Sequence, residues 1–180
     1  MTPLIYFSFA FGISEIILLM VKRSKTGSAK TREDRGSLLL MWLSISIGFA
    51  AGFYLSKPVN FLYTVVGMIL IFGGAIVRWL AIIQLGKSFT VDVAITEKAV
   101  LKTDGIYQKV RHFSYTGLII VITGFALSMS SVHSFLVFVV PVFFAIIYRI
   151  SVEEKVLINE FGTSYLEYNN RTKKIIPGIF

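Results

Sequence analysis

Apolar residues run in long blocks along this chain, separated by short polar segments, and the block lengths set the first expectation. Residues 3–21 are apolar except for Ser8, Ser14 and Glu15, and a helix rising 1.5 Å per residue over that length crosses ~30 Å of hydrocarbon. Ser37 to Ser56 and Phe61 to Leu85 predict two more spans. The first of these carries GFAAG, which sets Gly48 and Gly52 on one face at a spacing that lets helix backbones approach closely. Pro58 in the KPVN connection blocks helix continuation. Phe113 to Met129 and Phe135 to Ile150 are shorter apolar runs joined by SSVHS, which predicts a helical hairpin with Pro141 in its second arm. That arm passes into SVEEKVLINEFG without a breaker, so one helix is expected to leave the membrane and end near Phe161, capped by Gly162. Ser164 and Glu167 fit a capping box for a short helix, SYLEYNN, ahead of the basic tail RTKKIIPGIF.

The stretch from Gly86 to Arg111 is neither apolar nor uniformly charged. It alternates weakly through Phe89, Val91, Val93 and Ile95, then reaches a turn signal at Asp104-Gly105. Irregular backbone at membrane depth is tolerated only where protein or a water-filled cavity satisfies it, so this segment is expected to wall a cavity. The expected fold class is therefore all-α: a polytopic membrane protein with about five transmembrane helices, the last two a hairpin, plus a cytoplasmic C-terminal helical extension. Residues 1–180 form one membrane-embedded domain, with a three-helix scaffold in 1–85 and the binding part in 86–180.

Composition sharpens this picture. Hydrophobic residues make up 55% and charged residues 16% of the chain, and the mean hydropathy is +0.74, which excludes an ordinary soluble domain. The net charge of +8 comes from basic residues in short connections, six of them between Lys22 and Gly36 and five between Gly86 and Arg111. Lys57 stands alone after the second span, and the hairpin tip has none. This alternation places the N-terminus outside and the C-terminus in the cytoplasm. Basic loops without an interleaved aromatic face argue for anionic lipid headgroups and against nucleic acid. There is no cysteine, hence no disulfide and no thiolate ligand. His112 and His133 fall at opposite surfaces, so no metal is expected. The first apolar run lacks a basic leader and a small-residue cleavage site and is expected to be a retained helix. A core this short, without an N-terminal extension, suggests a prokaryotic plasma membrane. Five spans suffice for a monomer, while GFAAG offers a face for a dimer.

Ionisable groups at the edge of membrane helices are costly and point to function. Arg149 and Glu153 are four apart and share one helix face, with Glu154 turned about 100° away. Tyr107, Arg111, His112 and Tyr115 cluster at the mouth of the fourth span, between the Gly105 turn and Thr116-Gly117. Arg78 lies inside the third span, where it snorkels, pairs with Glu15 or binds an anionic group of a substrate. No GxGxxG after a strand, P-loop, GxSxG or HExxH is present. Aromatic faces and carboxylates suit a cation, whereas an arginine fork suits a carboxylate or phosphate. Such a site would hold a cation and an anion side by side.

Taken in order, LGKSFT (85–90), Val100-Leu101, GIY (105–107), RHFSYTG (111–117), RISVEE (149–154), FGTSYLEY (161–168) and Pro177 resemble the isoprenylcysteine carboxyl methyltransferase family. These are integral membrane methyltransferases related to phospholipid methyltransferases. Phe113 replaces the proline of the family pattern, and Ala99 stands where a histidine often precedes the Leu-Val pair. The resemblance implies methyl transfer from S-adenosylmethionine, leaving S-adenosylhomocysteine, to the carboxylate of a lipid-linked acceptor such as a prenylated cysteine at the cytoplasmic face. It implies a cofactor pocket lined by Val100, Leu101, Tyr107, His112, Ser114 and Tyr115 with Glu153 beside it, and Arg149 directed at the acceptor. A carboxylate acceptor is already ionised at neutral pH and needs no base. A lipid amine, phenol or alkylpyrone would need one, and Glu153 or Glu154 is the candidate. A non-enzymatic scaffold that binds headgroups is the remaining alternative.

Overall fold

Every apolar block is helical, and the helix ends follow local signals. The computed structural model describes residues 2–22, 29–32, 34, 36–58, 60–91, 94–96 and 100–179. Six helices run in chain order: α1 (Thr2–Lys22), α2 (Ser37–Tyr54), α3 (Phe61–Leu85), α4 (Phe113–Ser128), α5 (Val132–Phe161) and α6 (Thr163–Arg171). Asn60 caps α3, its side-chain oxygen accepting from the Leu62 and Tyr63 amides at 3.0 and 3.3 Å. Ser131 caps α5 by accepting from Ser134 N at 3.3 Å. At Gly162, φ is 54°, and its N–H closes α5 onto Ile158 O. The expected capping box does not form. Helix α6 starts at Thr163 directly after that glycine, with no side-chain cap, so Ser164 already lies within the first turn.

Helix α4 packs chiefly along α3, and α5 along α2, so each arm of the C-terminal hairpin is held by an earlier helix. Glycines set the α3–α4 approach. A Cβ on Gly117 would lie 2.5 Å from Arg78 N and 2.7 Å from Gly74 O, and one on Gly124 would lie 2.6 Å from Gly67 O. Backbone meets backbone at these points, which only glycine permits. Gly48 and Gly52 serve the same purpose toward α5: their added Cβ atoms would meet Phe138 and Ser134 O. The GFAAG face assigned above to a dimer is thus covered within the chain. Val121, Ala126, Phe138, Val142 and Ile146 form the centre of the core. Phe9, Ile47, Phe61, Ile83 and Phe144 face outward, as an apolar solvent would allow. Helices α2, α3 and α5 are long and apolar enough to cross a membrane, whereas α1 (over Tyr6–Met20) and α4 are shorter apolar helices.

Among the described residues the helices are joined by a short strand pairing that the polar first loop did not announce. Strand β1 (Ala29–Arg32) runs antiparallel to β2 (Ala94–Thr96), with Ala29 opposite Thr96 and Arg32 opposite Ala94. The weak alternation around Val91 to Ile95 did signal extended backbone; its partner lies more than sixty residues upstream and left no local trace. On either side of β2, Gly86–Ser88 and Gly105–Gln108 form 3-10 turns. Val93 and Ala99 lie outside the described residues.

Candidate active site

The site is assembled where α4 and the C-terminal half of α5 meet the segment that precedes α4. Gly105, at φ 60°, turns the chain under α3, where Gln84 Oε1 accepts from Ile106 N at 3.2 Å. This sends Tyr107 inward: its hydroxyl donates to Ala81 O at 3.1 Å, and its own carbonyl accepts from the Tyr168 hydroxyl at 2.7 Å. Burial, with Glu153 adding to it, pushes the Tyr107 hydroxyl pKa up, so it stays a donor. Phe113 is the first residue of α4, and His112 O accepts from the Tyr115 and Thr116 amides at 2.9 and 3.2 Å. The helix therefore starts normally without the family's proline, whose usual advantage at a first helical position is a preset φ.

The basic C-terminal tail is stitched to this segment. Arg111 N and His112 N donate to the carbonyls of Lys173 and Lys174 at 2.8 and 3.0 Å, and Thr116 Oγ1 donates to Ile175 O at 2.7 Å. Arg111 donates to Thr172 O at 2.6 Å and Asn169 O at 3.1 Å and pairs with Glu154 at 3.1 Å. Glu154 also meets Lys174 at 3.1 Å and His112 Nε2 at 3.4 Å. Burial works against its charge, but the His112 ring and Lys174 outweigh it and hold the carboxyl down to about 2. Arg111 and Glu154 thus clamp the tail, a role that depends on contacts across more than forty positions.

Above this clamp opens a cavity enclosing about 920 Å³ of atom-free space, its mouth included. Val100, Leu101, Tyr107, His112, Ser114, Tyr115 and Glu153, all assigned to one pocket by resemblance, line it. Leu85, Ser88, Phe89, Thr90 and residues 100–102 supply its other wall, as expected for the irregular segment. The Glu153 side chain is 33% exposed and lies 3.9 Å from His112 Nδ1. The His112 and Tyr115 rings are 5.9 Å apart. Tyr165 and Tyr168 of α6 close the floor, and the Tyr165 hydroxyl is buried with no hydrogen-bond partner among the described residues.

Arg149 stands behind Tyr115, outside the cavity wall, and only 2% exposed. Its Nε donates to Tyr115 Oη at 2.9 Å, and Tyr115 donates onward to Glu153 Oε2 at 3.0 Å. Because arginine has no acceptor, the tyrosine proton must point at Glu153. The other arginine nitrogens donate to Asp34 Oδ1 (2.7 Å), Ser37 Oγ (2.9 Å) and Val91 O. Asp34 also receives the Leu38 amide at the start of α2, and although burial opposes it, the Arg149 hydrogen bond leaves its carboxyl below the usual range. Asp34 and Ser37 were missed in the sequence, where the loop reads as a run of basic charge. Its one available sign was an acid just ahead of a helix start.

Arg78 is not part of this site. Its guanidinium makes two bonds to the Glu15 carboxylate, at 2.5 and 2.6 Å, and a third to Ser114 O at 3.3 Å, with the pair buried between α1 and α3. The two depths match, and of the readings given above it is the pairing with Glu15 that the guanidinium makes. His133 lies at the far end of the bundle, beside Lys57, Tyr63 and Ser130.

Comparison with known proteins points to one family. A protein-S-isoprenylcysteine O-methyltransferase of Arabidopsis thaliana (form B) is 36% identical over 113 residues, covering 62% of this chain and 57% of that protein. The Schizosaccharomyces pombe protein of the same name is 36% identical over 106 residues, covering 58% and 45%. This chain spans about half the length of the curated relatives it matches. A solved structure, that of the eukaryotic intramembrane Ras methyltransferase ICMT, superposes with a TM-score of 0.60 at 23% identity, over 81% of this chain and 50% of that one, which speaks for a shared fold. The profile of the isoprenylcysteine carboxyl methyltransferase family matches residues 65–159, a stretch that holds most of the cavity wall, RHFSYTG and RISVEE, and the chain belongs to that family.

Proposed function

We propose that this protein transfers a methyl group from S-adenosylmethionine to the carboxylate of a lipid-linked acceptor, such as a prenylated cysteine, at the cytoplasmic face of a membrane. The observation that carries this reading is the Tyr115 hydroxyl, which joins Arg149 on one side to the cavity carboxylate Glu153 on the other. One side of that hydroxyl suits an anion and the other a cation. In this reading α1 and α4 also span the bilayer, giving five spans with the N-terminus outside, and residues 86–180 do the binding.

The donor set fits an adenosyl sulfonium. The cavity wall offers aromatic rings at Tyr107, His112 and Tyr115, the half-open carboxylate of Glu153, and a buried hydroxyl at Tyr165 that has no partner within the described residues. When bound, S-adenosylmethionine would supply an electrophilic methyl on a positively charged sulfur. Glu153 and the rings would favour that charge over water, and their burial strengthens the attraction. Glu153 is kept in place by the Tyr115 proton, so its orientation is fixed before any ligand arrives.

Arg149 already holds a carboxylate, that of Asp34. We assign the acceptor carboxylate to the same guanidinium, exchanging with Asp34, so that an anion is fixed without a proton being moved. The alternative acceptors, an amine or hydroxyl, need a base. Glu154 is a poor one, since its carboxyl is held at about 2 and it is committed to three cationic or imidazole partners. This favours the carboxylate. Radiolabelled methyl transfer to a panel of prenylcysteine, phosphatidylethanolamine and alkylpyrone tests the reading. Transfer to prenylcysteine with a rate flat between pH 6 and 9 is expected; transfer to the amine or pyrone alone, rising with pH, refutes it. Arg149→Ala should lower turnover more than S-adenosylhomocysteine affinity, and His112→Ala should lower affinity first.

A further inference from the structure

Three tyrosines meet beneath the cavity, and two have spent their hydroxyls inside the protein. Tyr107 donates to Ala81 O at 3.1 Å and Tyr168 to Tyr107 O at 2.7 Å. Tyr165 has not. The residue is 1% exposed, its ring packs edge-on against Tyr168 at 6.1 Å, and its hydroxyl has no partner among the described residues although Tyr165 lines the cavity. A buried hydroxyl without a partner is destabilising, and phenylalanine would pack the same ring without that cost. Packing alone therefore gives no reason for the oxygen. Burial first, then the charges of Glu154 and Glu153, keep the hydroxyl protonated and thus able to donate.

The neighbourhood selects what it would donate to. Glu153 lines the same cavity and offers a carboxylate acceptor, while Glu154 is occupied by Arg111, His112 and Lys174. A ligand carboxylate placed here would face Glu153 and be repelled, and an ammonium has no lone pair to accept with. A sugar hydroxyl both accepts from a phenol and donates to a carboxylate. We infer that Tyr165 is a further binding residue of the donor pocket, which holds the nucleoside end of the ligand by donating a hydrogen bond to a ribose hydroxyl. This rests on the methyl-donor reading above.

Calorimetric titration of the purified full chain in detergent with S-adenosylhomocysteine and with 5′-methylthioadenosine, which lacks the amino-acid end, tests it beside ligand-free thermal unfolding. Tyr165→Phe should weaken both ligands by roughly 10-fold, the worth of one buried hydrogen bond, without lowering the ligand-free unfolding temperature. Tyr168→Phe, which strips a donor from Tyr107 O, should lower that temperature and so proves the readout sensitive. Unchanged affinity in Tyr165→Phe overturns the inference while leaving the donor reading intact. Weakening of S-adenosylhomocysteine alone overturns the assignment to the nucleoside, and a lowered ligand-free unfolding temperature in Tyr165→Phe makes the residue structural. If the unmodified protein binds neither ligand, the donor reading itself falls and this one with it.

Discussion

Removing either member of the Glu15–Arg78 pair should cost the protein stability and leave its acceptor specificity alone. The guanidinium has two short bonds to the carboxylate, at 2.5 and 2.6 Å, and the side chains are 7% and 3% exposed. Arg78→Met deletes the cation and strands a carboxylate among α1, α3 and α4; it also deprives Ser114 O of its donor at 3.3 Å. Glu15→Leu strands the guanidinium instead. Breaking a buried pair from one side costs about 3–5 kcal/mol, whereas replacing both members with apolar groups of similar size is often near neutral. The double variant Glu15→Leu/Arg78→Met should therefore lose far less than the sum of the singles, with a coupling on the order of 3 kcal/mol or more. Reversible unfolding in mixed micelles titrated with sodium dodecyl sulfate measures all four corners of this cycle. Singles that cost under about 1 kcal/mol, or that simply add, would refute the argument. So would a raised KM for acceptor in Arg78→Met at unchanged stability, which would return Arg78 to the substrate.

Gly117→Ala should destabilise by about 1–3 kcal/mol, because the new Cβ would meet Arg78 N at 2.5 Å and backbone cannot yield as a side chain can. Gly73→Ala, with nothing within 4 Å, should be neutral or stabilising by up to ~1 kcal/mol in the same unfolding assay. Glu154, whose folded carboxyl is lowered from 4.5 to about 2, contributes stability that is fully present above pH 4.5 and is lost as pH falls toward 2. Unfolding measured across that window should show this slope in the native protein and lose it in Glu154→Gln.

The sequence made the helices legible because each is an apolar block bounded by a local signal: Asn60 ahead of α3, Gly162 after α5, no breaker between Ile150 and Phe161. It made the cavity wall legible for a different reason, the ordered motifs, which name residues without saying how they touch. What stayed hidden were pairings between distant segments. Asp34 and Arg149 are 115 positions apart and Arg111 and Thr172 sixty-one, while Glu15 with Arg78, sixty-three apart, was open only as one of three readings. A charge's partner depends on which helices neighbour one another, and that is decided by glycine contacts such as Gly74 with Gly117. The same blindness explains the GFAAG face. A small-residue spacing shows that something comes close but not whether it belongs to another copy.

Helix α5 runs unbroken from Val132 to Phe161, and Arg149 and Glu153 ride on it one turn apart. The distance between the two ends of the site is thereby a property of helical pitch, roughly 6 Å of rise. Loop movements can open or shut the approach to either end, yet they cannot change that spacing. Adding or deleting one residue among 150–152 would swing one charge about 100° around the axis, so this linker should accept exchanges of side chain far more readily than any change of length.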